Sequence, residues 1–575
     1  MAHSNSHQPS ITKAPQSSSV SPLHHSGSTT MNIPLLSVII ARQFKGCRMT
    51  DCFENIDAIP MHVEYEQIDL MELVDNQRIT ANLELNIDTK SDLGQFMTPK
   101  GVAKILAKLC CNLNDEVNIL DAGAGVASLT SSVIEEAITN DQFEPIRINI
   151  NCWEIDPIMF GHQEANIALV NQYCDAHGIE LSSNLVNSDF IQQAVTWLKT
   201  NETNPPLFTT AILNPPYLKI KKNSQESKLL ESVGINTTNL YSGFVSLALK
   251  LLEPQGELIA ITPRSFCNGP YFSEFRRLLL DGNNLTHISV FESRKRAFKE
   301  DKVLQENVIF RIVKAENQGD VVISSYQDQD DMNPQERLTP FDNVVFPSDK
   351  NNFIHITTND EQADIATRIA LMPCSLSDLN IQASTGKVVD FRTPDNLRDM
   401  PGADTVPLIF PMHFNGYDIN WPKVRSVITD TNKKKLKPNA LALNDKTRSL
   451  VIPNGYYVLT KRLTSKEEKR RVVAAVYSPI AEVGVVGFDN KTNYFHANGE
   501  PLEETLAYGL WCYLNTNIFD NYFRQFNGHT QVNATDLRFI RYPDSDMLQN
   551  MGLEVIGCIE RNENIEFDQI LDLYI

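Results

Sequence analysis

No stretch of this chain strings together the ~18 consecutive apolar residues that a membrane-spanning helix needs, so nothing in the sequence points to a bilayer. Its ten cysteines are scattered and include no C-x-x-C pair, which removes the usual signatures of a zinc site or a disulfide framework. Positive charge is also short: 51 Lys and Arg face 71 Asp and Glu, a formal net charge of −20. That balance excludes a surface coated in positive charge for indiscriminate binding of nucleic acid, though not a local basic cleft. The first thirty residues, rich in Ser, His, Thr and Pro, have no apolar core of a signal peptide and are expected to be disordered. A reducing cytoplasm is the expected compartment.

What the chain does have is 575 residues, enough for two or three domains, and one tetrapeptide of unusual chemistry. Asn214-Pro215-Pro216-Tyr217 follows Thr209-Thr210-Ala211-Ile212-Leu213, a short β-prone run that reads as a buried strand. The tetrapeptide then sits at the carboxyl end of a strand, where open α/β sheets place their ligands. The prolines fix φ and remove two backbone donors, Asn214 adds an uncharged acceptor and Tyr217 an aromatic face. Together they suit holding a planar amine and stacking the ring that bears it. The plain alternative, a proline-rich strand exit, weighs equally for the tetrapeptide alone.

The surrounding pattern alternates strand and helix. Val117 to Asp121 reads as a strand that turns through Ala122-Gly123-Ala124-Gly125 into a helix, and its glycines let backbone approach a ligand closely. Ala127 and Ser128 stand where a dinucleotide fingerprint would have its third glycine, which argues against a pyrophosphate loop. Ile148 to Trp153 ends in Glu154-Ile155-Asp156, an acid placed to take the hydroxyls of a ribose. Ser188-Asp189-Phe190 repeats the arrangement with an aromatic beside the acid. Upstream, Tyr65 to Asp88 reads as a helix with Ile68, Leu70, Leu73, Ile79 and Leu83 on one face. Thr98-Pro99 reads as an N-cap and first turn for a helix over 101–109. The last two strands, Thr286 to Phe291 and Val308 to Val313, lack a helix between them and are expected to pair antiparallel. The pattern implies an α/β fold, a mainly parallel sheet with helices on both faces.

Basic clusters occur at Lys219, Lys221 and Lys222, at 294–296, at 433–435 and at 469–471, each readable alone as a solvated surface. Beyond Asp320 the alternation is lost. That region carries Ser384-Thr385-Gly386-Lys387, Tyr456-Tyr457 and a run from Phe526 to Arg538 that packs amides and hydroxyls beside a glycine turn, with Thr535 as a candidate helix cap.

Taken in order, LGQFMTP, ILDAGAG, CWEID, NSDF, ILNPPYLKI, NLYSGF, ITPRSFCNGPYF, AFKEDKVLQENVIF and FNGHTQVNATDLRFIRYP resemble the motifs of gamma-class N6-adenine-specific DNA methyltransferases. The likeness is to restriction-modification methyltransferases of the PstI and BsuBI type, more distantly to the TaqI enzyme, and runs from Leu93 to Pro543. It implies a Rossmann-like class I methyltransferase sheet, a C-terminal α+β target-recognition domain and S-adenosylmethionine as cofactor. The expected division is a poorly ordered extension over 1–62, a catalytic domain over 63–318 and a recognition domain over 319–575. By that resemblance Asn214, Pro215, Pro216 and Tyr217 are catalytic, and Tyr217 and Phe298 stack on the target base. Thr98, Asp121, Gly123, Gly125, Glu154, Ile155, Asp189 and Phe190 would line the cofactor. Lys219, Lys221, Lys222, Gln531, Asn533 and Arg538 are the candidates for contact with double-stranded DNA.

The resemblance implies no metal, action as a monomer on DNA, and a cognate endonuclease acting separately. Asn rather than Ser at position 214 favours adenine over cytosine in that family. The glycine loop is poorer in glycine than in many relatives, and the extension before Tyr65 has no counterpart among them. An RNA-base methyltransferase or a protein-glutamine methyltransferase would use the same tetrapeptide. The latter would leave the long region after Val313 unexplained. A methyltransferase fused to a nuclease has fewer than a hundred residues before Leu93 to draw on, and a non-catalytic binding module is the blandest reading.

Overall fold

Strand β4, Phe208–Leu213, delivers the tetrapeptide from the middle of a nine-stranded sheet in this computed structural model. The structure describes residues 69–85, 97–200, 207–292, 306–347, 349–416, 418–423, 437–464, 468–481, 483–527 and 531–575. The extension over 1–62 lies outside them.

The elements of the first half are α1 (Leu70–Glu84), α2 (Lys100–Ala107), β1 (Asp115–Ala122), α3 (Ser128–Thr139), β2 (Pro145–Trp153), α4 (Pro157–Ala176), β3 (Glu180–Val186) and α5 (Phe190–Thr200). After β4 come α6 (Gln225–Glu231), α7 (Leu240–Leu251), β5 (Leu252–Pro263), α8 (Ser273–Leu280), β6 (Asn283–Phe291), β7 (Asn307–Lys314), β8 (Val321–Tyr326) and β9 (Gln335–Thr339). Strand order is β3-β2-β1-β4-β5-β7-β6-β8-β9. β1 pairs parallel with β2 and β4, and β4 with β5, whereas β7 is inserted antiparallel between β5 and β6, as the missing helix between the last two strands implies.

Both faces are covered, and the period-2 alternation shows it. On β5, Leu258 and Ala260 pack with α5, α7 and α8, while Ile259 and Ile261 pack with α2, α3 and α4 on the other side. A strand buried on both faces is apolar at every position, and Ala211, Ile212 and Leu213 are fully buried. The chain reverses its direction of winding between β1 and β4, and a crevice opens at their carboxyl ends.

Two expectations need correction. The buried face of α1 is Leu70, Met71, Val74, Arg78 and Ala81, while Ile79 and Leu83 are exposed. An apolar-only pattern misses this face because Arg78 is buried on it, paired with Asp75 at 2.7 Å. And Thr98 does not cap α2: Pro99 is its N-cap residue, with no side-chain cap bond.

The sheet also runs past residue 318, through β8 and β9 to Thr339. Beyond it lie a six-stranded and a five-stranded sheet, with helices α9 (Asp360–Ala370), α10 (Glu504–Leu514), α11 (Asn517–Phe526), α12 (Ala534–Phe539) and α13 (Ser545–Glu560) around a second apolar core. Among the described residues no helix is long and apolar enough to cross a membrane.

Candidate active site

A cavity of about 330 Å³ opens at the carboxyl ends of β1, β2 and β4, within the range of ~300–1,000 Å³ usual for small-molecule sites. Its floor is the turn after β1. Gly123 and Gly125 hold φ of 75° and 57°, the left-handed region that glycine enters without penalty. The N–H groups of Gly123 and Ala124 both donate to the Trp153 carbonyl at 2.9 Å, tying the turn to the end of β2. A Cβ on Gly123 would stand 3.6 Å from Phe244 and 3.9 Å from Pro216, filling the cradle between turn and tetrapeptide. Ala127 also takes a left-handed φ of 64° as it opens α3.

Glu154 follows β2 and is 4% exposed. One carboxylate oxygen accepts from Gly125 N–H at 2.9 Å and the other from Asp156 N–H at 2.7 Å. These bonds fix the rotamer of an acid that burial pushes above the usual carboxylate range. Ile155 is 54% exposed and lies on the cavity wall, an apolar surface offered to a flat ring. Asp189 accepts from Ile191 N–H at 2.8 Å and from the Gln192 amide at 3.2 Å, so it also starts α5. Phe190 is buried against Trp153 and Phe244, with ring centroids 5.9 and 5.4 Å apart. Asp121 stands one layer deeper. It is fully buried, accepts from the Thr130 hydroxyl at 2.7 Å, and is pushed up to about 7 by burial.

At the mouth, Asn214 and Pro216 line the cavity and Pro215 is buried beneath them. The Asn214 amide is held at both ends: its Nδ2 donates to the Thr98 hydroxyl at 3.0 Å, and its Oδ1 accepts from the Tyr217 hydroxyl at 3.0 Å. Both partners are hydroxyls, which donate or accept as the amide requires, and in this arrangement the oxygen end faces Tyr217. Tyr217 further donates to the Ile261 carbonyl at 3.4 Å and meets Tyr241 edge-on at 6.3 Å. Burial raises its phenol well above the ordinary value, so it stays a donor.

The cavity thus gathers Thr98, Gly123, Gly125, Glu154, Ile155, Asp189, Phe190, Asn214 and Pro216, with Asp121 and Tyr217 supporting from behind. Phe298 lies outside the described residues. Met97, Ser188, Leu218 and Phe244 are among the other residues of the wall. Phe244 stands in the NLYSGF stretch, where a glycine-flanked aromatic was its only mark.

Lys219, Lys221 and Lys222 are exposed beside the mouth. Gln531 accepts from Arg462 at 3.1 Å, Asn533 opens α12 with Asp536, and the Arg538 guanidinium donates to the Ala383 carbonyl at 2.6 and 2.9 Å. Thr535 is inside α12 and not its cap. Of the other basic clusters, 294–296 and 433–435 lie outside the described residues, and Arg471 is buried on Asn527 at 3.0 Å.

A buried acid after β2, an aromatic wall and a glycine turn line this cavity, on the sheet of a class I methyltransferase that takes S-adenosylmethionine. Residues 126–298 match the Eco57I restriction-modification methylase family. The chain is 49% identical over 494 residues to the type II methyltransferase M.PstI of Providencia stuartii, spanning 85% of this chain and 94% of that one. It is 43% identical over 511 residues to the type II methyltransferase M.BsuBI of Bacillus subtilis, spanning 88% and 97%. The chain therefore belongs to the type II methyltransferases of restriction-modification. A solved structure of the type IIL restriction-modification enzyme MmeI in complex with DNA shares the fold, with a TM-score of 0.50 at 11% identity over 88% of this chain and 72% of that one.

Proposed function

We propose that the chain methylates the N6 amino group of an adenine flipped out of double-stranded DNA, as the modification half of a type II restriction-modification system. The observation that carries this reading is the Asn214 amide, clamped between Thr98 and Tyr217 at the mouth of the cofactor cavity. S-adenosylmethionine supplies an electrophilic methyl group when bound. Glu154 fits its ribose, Ile155 and Phe190 its adenine.

An exocyclic aromatic amine is a poor nucleophile because its lone pair is delocalised into the ring. The Asn214 oxygen and the Pro215 carbonyl accept its two N–H bonds and localise that lone pair. An amide oxygen has two acceptor directions; Tyr217 takes one, and the target amine the other. Extrusion of the base costs a few kcal/mol, and stacking on Tyr217 and Phe298 returns about 1–3 kcal/mol per base. The remaining acceleration is positioning and preorganised electrostatics.

Lys219, Lys221 and Lys222 contact phosphates. Gln531, Asn533 and Arg538, each oriented by a partner inside the protein, contact the DNA in this reading. The catalytic domain ends near Thr339, where the nine-stranded sheet ends, and target recognition lies beyond it. The enzyme works in the cytoplasm as a monomer on DNA, with its endonuclease a separate protein. The test is incubation with labelled S-adenosylmethionine and plasmid DNA followed by nucleoside analysis. N6-methyl-2′-deoxyadenosine is expected; label in cytosine, or label absent from DNA but found in RNA or in a protein glutamine offered in parallel, would overturn the assignment.

A further inference from the structure

Arg264 stands where the catalytic edge of the sheet meets the C-terminal half. It directly follows β5, three residues after Ile261, whose carbonyl accepts from Tyr217. Its backbone N–H donates to the Glu306 carbonyl at 2.7 Å, just before β7 begins. Its guanidinium lies 3.7 Å from the Glu306 carboxylate, with the two side chains 12% and 15% exposed. Its Nη2 donates to the carbonyl of Gln525, in the last turn of α11. Carbonyls at a helix C-terminus carry partial negative charge and lack intrahelical donors, so a cation is well placed there.

The far side of that contact leads into the C-terminal half. Gln525 is buried and donates to the Gln362 carbonyl at 2.9 Å. Two residues on, buried Asn527 donates to the Gln531 carbonyl at 3.3 Å and to Asp536 at 2.8 Å. One largely enclosed cation thus touches the strand that holds Tyr217, the residue just before β7 and the last turn of α11. A passive joint would be sealed more cheaply by apolar side chains, because a buried guanidinium is costly unless its donors are all matched. The Nε of Arg264 is buried with no hydrogen-bond partner among the described residues. Such a group has a spare donor with which to exchange partners.

We propose that Arg264 is a positioning residue that couples the C-terminal recognition region to the amine-holding site. A correctly read sequence then raises the rate of the chemical step as well as binding. The proposal rests on the DNA-methyltransferase reading above and uses a contiguous set of contacts as its physical warrant.

The test compares wild type, Arg264→Met and Arg264→Lys. Methylated positions on chromosomal DNA from a non-methylating host first define the wild type's principal site. Failure at that step would overturn the underlying reading and not the coupling. Single-turnover rates are then measured on duplexes with that site and with single-base changes, beside cofactor affinity, duplex affinity and unfolding temperature.

For Arg264→Met the expected result is unchanged cofactor and duplex affinity, with the rate on the principal site reduced at least about fivefold, the low end of coupling between sites. The ratio between principal and altered sites should narrow, and Arg264→Lys should restore part of both. A rate and ratio equal to wild type would overturn the proposal. So would an equal fall at every site with the ratio intact, which is structural support alone. If Arg264→Met does not fold, Arg264→Lys decides: a wild-type ratio in that variant counts against coupling.

Discussion

At the scale of single residues, the site rests on orientation. Asn214 has hydrogen-bond partners at both ends of its amide before any substrate arrives, so its acceptor is aimed in advance and little is lost to reorganisation. Asn214→Ala should leave cofactor affinity intact and lower single-turnover methylation by roughly 10²–10³-fold, the loss typical of one preorganised group. Tyr217→Phe keeps the ring and loses the bond to Oδ1, so its rate should fall between those of Asn214→Ala and wild type. Methylation by Asn214→Ala near the wild-type rate would remove Asn214 from the chemistry.

Asp121 supplies a second test. Burial raises its carboxyl from the usual 3.8 to about 7, so between those values the folded protein keeps a proton that the unfolded chain has released. Its contribution to stability is whole below about pH 4 and is lost as pH rises to about 7, by up to ~1.4 kcal/mol per unit. Asp121→Asn keeps an acceptor for Thr130 and removes the titration. Its unfolding temperature should therefore gain on wild type between about pH 4 and about pH 7 and hold that gap above, measured by calorimetry without cofactor. A gap that does not change with pH would mean that the carboxyl is not held protonated.

Among the elements, what could be read from the chain was what is local. β4 and its tetrapeptide were legible because a strand buried on both faces is a short apolar run, and prolines mark its end. Glu154 and Asp189 were legible as acids at strand tips. The bond from Asn214 to Thr98 joins residues 116 apart, and a hydroxyl before Pro99 looks locally like a helix cap. The face of α1 was misjudged for a related reason: Arg78 is buried because Asp75 neutralises it, which no apolar pattern records.

The helices of the C-terminal half were legible least, since their packing turns on backbone approach. A Cβ on Gly509 in α10 would stand 1.7 Å from the Leu548 carbonyl oxygen, and one on Gly552 in α13 would stand 1.9 Å from that of Thr505. Neither contact can be kept with a methyl group in place. Gly552→Ala should force the two helices apart and cost about 1–3 kcal/mol or more, lowering the unfolding temperature while cofactor affinity stays as in wild type. An unchanged unfolding temperature would show that the pair separates freely.

For the whole molecule, the question is which part chooses the sequence. A net charge of −20 repels DNA at long range, so affinity has to come from local basic groups and from base contacts. The cavity lies on the nine-stranded sheet, which ends at Thr339, whereas helices α9 to α13 and the six-stranded sheet enclose a core of their own, and the five-stranded sheet packs into smaller clusters beside it. Residues 341–356 still pack into the core of the nine-stranded sheet through Val344, Val345, Ile354 and Ile356, so the part that can be exchanged without rebuilding the sheet that holds Asn214 and Glu154 begins at α9. We therefore expect that replacing residues 360–575 by the corresponding part of a type II relative, chosen to present a helix-end carbonyl to Arg264, changes which adenines are modified. The methyl donor and the methylated atom should stay the same. Sequencing of methylated positions across a whole genome reads the outcome directly. A folded, active hybrid that keeps the original sites would place recognition in the first half, beside the lysines that follow Tyr217.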